Sequence, residues 1–270
     1  MADAGLIADE GEHLTAGWEP DLPAEDSIQR QAILGMAGRA AHQAAAVGRP
    51  YEDDGVLAMA SASDLSLWTS QATILQPLVD VDPFDARTRD FFGDRPHIVF
   101  SAWPTPDLRP IGYQPVGHPP LMLRPAGTPP PSVADVDIVE ANDAAGVEAY
   151  ERVFIHGYPA PEFADAPPGS LFHPDTLKAS EFGELRYFVG RLAGEPVAVA
   201  AAWLSHGLVE VEFVATLPAA RGKGFGAAIT WAATAGGDGH AVLLGSDDGQ
   251  PVYERLGYLR LERWTAWAKV

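Results

Sequence analysis

The chain has 270 residues, 47% apolar and 20% charged, a globular composition that allows one large domain or two smaller ones. Lys and Arg number 18 against 37 Asp and Glu, a formal net charge of −19 with a pI near 4.6. The long-range field therefore repels polyanions, and neither a nucleic-acid partner nor a membrane partner is expected. With no cysteine, a disulfide framework, a Cys-ligated zinc site and thiol catalysis are all excluded. The longest uninterrupted apolar run, Val197–Leu204, is far short of the roughly 20 residues that span a bilayer. No basic residue precedes Arg30, which argues against a secretory signal, so the expected location is cytoplasmic.

In chain order, the first 26 residues carry acids and no base, and read as a peripheral segment. Asp26 or Ser27 can cap a helix running to about Val47, rich in Ala, Gln and Leu. Apolar runs follow at Gly55–Ala60 and Leu67–Leu75, then a short helix around Asp85–Phe92 and a strand at His97–Ala102. Asp80, Asp82 and Asp85 imitate a calcium loop, but Phe84 stands at a ligand position and no Gly follows, so they read as a solvated turn. The stretch PAGTPPPSVAD, Pro125 to Asp135, can continue neither a helix nor a central strand and marks a linker at 126–135.

Beyond it, Val136–Glu140 reads as a strand, and Asp143 opens a helix to about His156. A Pro-rich stretch from Tyr158 to Pro174 is irregular. Strands at Leu185–Leu192 and Val197–Leu204 are joined by a hairpin at Ala193-Gly194-Glu195, and Leu208–Leu217 continues the meander after a turn holding His206. A helix follows RGKGFGAA, then a strand at Ala241–Gly245, a short helix at Gln250–Leu256 and strand-like sequence to the end. The two halves echo each other. Ile111-Gly112-Tyr113 opens a stretch ending at Pro125, Leu256-Gly257-Tyr258 opens one ending at Val270, and LWTSQATILQP (67–77) parallels GLVEVEFVATLP (207–218). Either strand-rich segments simply look alike, or the fold is duplicated with the ligand loop lost from the first copy.

The chemistry-bearing segment is VEVEFVATLPAARGKGFGAA, Val209 to Ala228: strand, turn, Gly-rich loop, helix. Gly222, Gly224 and Gly226 let backbone approach a ligand closely, and the first-turn N–H groups of the helix suit a phosphate or pyrophosphate. Arg221 and Lys223 add local positive charge to an acidic chain. A P-loop pattern, GxxxxGK[ST], is not there. A dinucleotide fingerprint is formally matched by Gly222, Gly224 and Ala227, but the segment follows an antiparallel meander and too little chain remains for a doubly wound sheet. The remaining pattern, R/Q-x-x-G-x-G/A, is matched by Arg221, Gly224 and Gly226.

With that loop in that element order, residues 136–270 resemble the GNAT superfamily of N-acetyltransferases. The resemblance implies an α/β (α+β type) fold, a mixed, mostly antiparallel sheet flanked by helices, set in a tandem pseudo-repeat. Residues 1–125 would be a degenerate GNAT-like domain with an acidic N-terminal segment, and 136–270 the acetyltransferase domain. It further implies acetyl-CoA as co-substrate, no metal, and a pyrophosphate held by Arg221, Gly222, Lys223, Gly224, Phe225, Gly226 and Ala227. Main-chain contacts to the pantetheine arm and thioester would fall on Val214, Ala215 and Thr216, with an N–H near Thr216 steadying the oxyanion. GSDDGQPVYERLGY, Gly245 to Tyr258, looks like the family segment whose Tyr protonates the departing thiolate, here Tyr253. Glu210 and Glu212 share one face of the motif strand. Glu210 stands four residues before Val214, where some members carry a catalytic Glu, and Glu212, water or the Val270 carboxylate are the other candidate bases. Tyr158, Glu162, Phe163, His173 and Asp175 lie where the family builds its acceptor wall, and Trp203 and Tyr187 either line the same cavity or pack beneath it. The expected reaction is direct transfer to an amine of a small molecule or peptide, with a homodimer compatible with the sequence. Two other classes stay open, a non-catalytic acyl-CoA-binding module and a nicotinamide-dependent oxidoreductase.

Overall fold

The computed structural model describes residues 27–64, 67–158 and 163–270. Ser27 caps α1 (Ile28–Ala46) by accepting a hydrogen bond from the Arg30 N–H. The helix is Ala- and Gly-rich on most sides because it lies between two sheets: Ala32, Ile33, Met36 and Ala37 pack with residues of both. A meander follows, β1 (Tyr51–Asp53), β2 (Leu57–Ser61) and β3 (Ser70–Ile74), then α2 (Val81–Phe92) and β4 (His97–Ser101). Asp80 caps α2, which begins four residues before the predicted Asp85, and Asp85 is ion-paired with Arg89 and Lys269. β5 (Gln114–Gly117) and β6 (Pro120–Arg124) complete the first half.

The second half runs β7 (Asp137–Ala141), α3 (Ala144–Gly157, capped by Asp143), β8 (Glu184–Leu192), β9 (Glu195–Ser205) and β10 (Leu208–Thr216). It continues with α4 (Phe225–Thr234), β11 (His240–Leu244), α5 (Gln250–Arg255), β12 (Leu259–Arg263) and β13 (Thr265–Lys269). The β8–β9 hairpin turns on Ala193 and Gly194, both at positive φ (51° and 88°), as a tight two-residue turn requires.

Among the described residues the strands form two sheets, ordered β1-β2-β3-β4-β13-β5 and β12-β6-β11-β10-β9-β8-β7. Sheet membership does not follow the Pro-rich stretch. β6, before it, inserts between β11 and β12, while β13, near the end of the chain, inserts between β4 and β5. Each sheet thus lends the other one strand. In both sheets an antiparallel pair leads through a helix to a parallel strand: β2-β3-α2-β4 in one, β9-β10-α4-β11 in the other. The fold is therefore mixed α/β with two mostly antiparallel sheets flanked by helices, in a layout that fits a tandem arrangement. The echo between 111–125 and 256–270 falls on the exchanged pairs, β5-β6 and β12-β13, each entered through a buried Tyr, Tyr113 or Tyr258. Tyr113 is hydrogen-bonded to His97 Nε2 at 2.7 Å, and Tyr258 to Thr234 Oγ1 at 2.6 Å.

On the second sheet α4 covers one face, over Ala198, Ala200, Ala202, Val209 and Val211. α3 covers the other, over Val199, Ala201, Trp203 and Ala215, and α1 crosses beside it. Trp203 and Tyr187 are packed in this core.

Candidate active site

Two local features open the second sheet at β10. First, its parallel pairing with β11 covers only Leu208–Glu210 against His240–Val242, so the strands part beyond Glu210. Second, the β10–β9 register slips between Glu212 and Ala215, leaving Phe213 and Val214 opposite Ala200 alone. Phe213 takes φ +52°, a conformation a bulky residue adopts only under constraint, and this bulge turns the backbone of Phe213 and Val214 out of the ladder.

The gap is a cavity of about 250 Å³. Val211–Val214 of β10, Leu243–Ser246 at the end of β11, Tyr253 of α5, Phe154 of α3 and Tyr158 just after it line one side. The first half supplies the other: Met36 and Arg39 of α1, Trp68, Gln71 of β3, and Ile98 and Phe100 of β4. Arg39 was not singled out by sequence, where it reads as an ordinary helical arginine. It is only 4% exposed, donates to Gln43 Oε1 and Gln71 Oε1 at 2.8 Å each, lies over the Phe213 ring at 4.9 Å, and faces Glu212 at 3.7 Å.

The two candidate carboxylates divide at the point where the strands part. Glu212 lines the cavity, whereas Glu210, 3% exposed, does not. Glu210 is walled in by β11 and by α1, where Gly35 leaves it room: a Cβ on Gly35 would stand 1.5 Å from Glu210 Oε1. That oxygen has no hydrogen-bond partner among the described residues. A void of about 10 Å³, bordered by both Glu210 and Glu212, separates the two groups from Trp264 and Leu121. Burial raises both carboxyls above their ordinary range. Arg39 pulls each partway back, and Glu212 pushes Glu210 further up. Tyr253 faces the cavity with its phenol pushed up to about 12, chiefly by burial, so it holds its proton at neutral pH.

At the far end of β10 the chain turns through Pro218–Ala220 into the Gly-rich loop. Gly222 and Gly224 sit at φ +75° and +86°, which the glycines allow without strain. Gly224 is the N-cap of α4 and no side chain caps the helix, so the Gly226 and Ala227 amides, in its first turn, have no intrahelical acceptor. A Cβ on Gly222 would meet nothing within 4 Å, whereas one on Gly224 would stand 2.9 Å from Ala134 Cβ, so the backbone is open at Gly222 and covered at Gly224. Arg221 braces it, donating to the carbonyls of Thr216 (3.1 Å) and Gly157 (2.8 Å), and Lys223 donates to Ala219 O at 3.0 Å. Phe225 is buried under α4 and anchors its start.

The remaining sequence candidates lie elsewhere. Ala215 and Phe163 are core, Thr216 is paired with Ala198 in the ladder, and His206 is an exposed turn residue at φ +48°. His173 accepts from the Asp175 N–H at the start of a short 3-10 turn. Val270, 88% exposed, is not among the residues lining the cavity, and Glu162 lies outside the described residues. Among the described residues no group of three or more His, Cys, Asp or Glu is placed to hold a metal, and no helix is long and apolar enough to cross a membrane.

A bulged strand parting from its parallel neighbour, an uncapped Gly-rich helix start and a Tyr across the gap occur here together. Residues 147–258 match the sequence model of the acetyltransferase (GNAT) family. The chain carries a GNAT domain. Solved structures agree over more of its length. A GCN5-related N-acetyltransferase from Kribbella flavida is 26% identical with a TM-score of 0.61, over 88% of this chain and 95% of that one. A putative GNAT acetyltransferase from Novosphingobium aromaticivorans (19% identical, TM-score 0.52, 81% and 89% covered) shares the fold. So does a functionally unknown conserved protein from Staphylococcus epidermidis (13%, TM-score 0.54, 83% and 94%). No curated protein matches the chain. Both halves are thus present in these neighbours, and the GNAT domain and its fold support acyl transfer.

Proposed function

We propose that the protein is an acetyl-CoA-dependent N-acetyltransferase acting on an amine of a small molecule or peptide, by direct transfer in a ternary complex. The observation that carries this reading is the convergence of the β10 bulge, Glu212 and Tyr253 on one cavity, with the uncapped start of α4 following the end of the same strand. The free amides of that helix turn, with its positive dipole end, suit the pyrophosphate, with Arg221 and Lys223 giving the local charge that the −19 chain otherwise lacks. Acetyl-CoA supplies an activated acyl carbon bonded to a thiolate leaving group.

The residues of the chain then divide the work. Glu212 takes a proton from the attacking ammonium, directly or through water, and so frees the nitrogen lone pair. The Val214 N–H, turned out of the ladder by the bulge, steadies the oxyanion as the C–N bond forms; Thr216, committed to its pairing with Ala198, is the poorer candidate. As the C–S bond breaks, Tyr253 gives its proton to the sulfur. Glu210, enclosed behind Glu212, does not reach the cavity and takes no direct part.

Release of free CoA thiol, followed with a chromogenic disulfide across a panel of amines, tests the reading directly. Amine-dependent release supports it, whereas acetyl-CoA binding without release under any amine points to a non-catalytic acyl-CoA module. Stabilisation against heat by NAD and not by acetyl-CoA would overturn it in favour of a nicotinamide enzyme.

A further inference from the structure

The acceptor end of the cavity carries an unbalanced charge. Arg39 and Glu212 line it and Glu210 lies enclosed behind Glu212, one cation against two carboxyl groups, and among the described residues lining the cavity Arg39 is the sole cation. Burial makes such an excess costly unless a positive partner enters or a proton is retained. Arg39 is itself largely engaged: Gln43 and Gln71 take two of its N–H groups, the guanidinium lies over Phe213, and Nε, with no hydrogen-bond partner among the described residues, faces Glu212 at 3.7 Å. A substrate carboxylate would therefore have to compete with Glu212 for the single cation, and a second substrate ammonium meets no further carboxylate among the described lining residues. The walls around this charge are flat and apolar, Trp68, Ile98 and Phe100 from the first half and Phe154, Tyr158 and Phe213 from the second. Trp68 and Tyr158 meet edge to face at 5.1 Å.

Resting on the acetyl-transfer reading, we propose that the acceptor is a monoamine with an aromatic-sized apolar body and no second charge. Its ammonium is directed at Glu212, and its body is selected by Phe100, Ile98 and Trp68 of the first half. That half is then the selectivity half of the enzyme, acting through Arg39 on the charge of the site and through the β3–β4 region on its shape.

The test uses the full chain, saturating acetyl-CoA and four acceptors: phenethylamine, phenylalanine, spermidine and methylamine. Phenethylamine is expected to exceed phenylalanine and spermidine in kcat/KM by tenfold or more. The ratio of phenethylamine to methylamine kcat/KM should fall about tenfold in Phe100→Ala and be retained in Phe100→Leu, a discrimination that general loss of stability would not produce. Spermidine or phenylalanine matching phenethylamine overturns the proposal, as does an unchanged ratio in Phe100→Ala. If acetyl-CoA raises the melting temperature but phenethylamine neither binds nor turns over, the substrate class falls while cofactor binding stands. If acetyl-CoA has no effect on melting, the acetyl-transfer reading itself falls.

Discussion

Burial lifts the Glu212 carboxyl above its ordinary range while Arg39, 3.7 Å away, holds it down. A base must be ionised to accept a proton, so kcat/KM should rise with pH through a limb lying above 4.5, the ordinary Glu value. Arg39→Gln removes the group that favours the carboxylate, and the limb should then move to higher pH. A pH–rate profile of the two proteins checks both the limb and its direction of movement. The Tyr253 phenol, at about 12, stays protonated across any usable assay range and should impose no alkaline limb of its own. Tyr253→Phe removes the proton donor and little else: kcat should fall by about 10²-fold, the lower end for general acid catalysis. Acetyl-CoA affinity, measured by calorimetry, should be unchanged. Equal turnover in the variant would leave Tyr253 a packing residue.

Among the elements, α1 shows how a substitution with a favourable local term can lose to one contact. Gly→Ala inside an exposed helix is worth up to about 1 kcal/mol of stabilisation. At Gly35, however, the new methyl would stand 1.5 Å from Glu210 Oε1. Overpacking of that kind typically costs about 1–3 kcal/mol, so Gly35→Ala should destabilise. In a Glu210→Ala background that clash is gone and the closest remaining contact, Ser205 Oγ at 3.0 Å, is the end of a rotatable side chain, so the same change should be neutral or stabilising. A double-mutant cycle of urea midpoints reads the coupling. Elements whose signals are local were legible in the sequence: Ser27 and Asp143 announce their helices, Ala193-Gly194 the hairpin, and Arg221, Gly224 and Gly226 the loop before α4. Glu210 and Glu212 were correctly placed on one face by strand period, but strand period cannot say which is covered. The end of the β10–β11 pairing at Glu210 decides that, and it is a property of two strands about 30 residues apart. Arg39 was invisible for the same reason, since its partners Gln71 and Glu212 lie on strands of different sheets.

At the scale of the whole molecule the exchanged strands decide how the halves depend on each other. β6 supplies the only neighbour linking β11 to β12, and β13 the only one linking β4 to β5, among the described strands. Removing either strand would therefore divide a sheet and expose unpaired edges on both sides. α1 adds an apolar seam, with Ile33 and Met36 packed alongside Leu75, Leu121, Val242 and Trp264. The covalent link through the Pro-rich stretch is, by comparison, a minor part of what joins the halves. A protease site introduced beside the exposed Ser132 should allow the chain to be cut while the two pieces stay together, eluting at the size of the intact protein and separating only in denaturant. Intact and cut proteins should each unfold in a single transition, the cut form at lower urea and with a concentration dependence that the intact chain does not show, because cutting makes folding bimolecular. Two resolved transitions in the intact chain, or pieces that part under native conditions, would mean that the exchanged strands contribute little to joining the halves. The cavity would then owe its two-sided wall to contacts weaker than the sheet order implies.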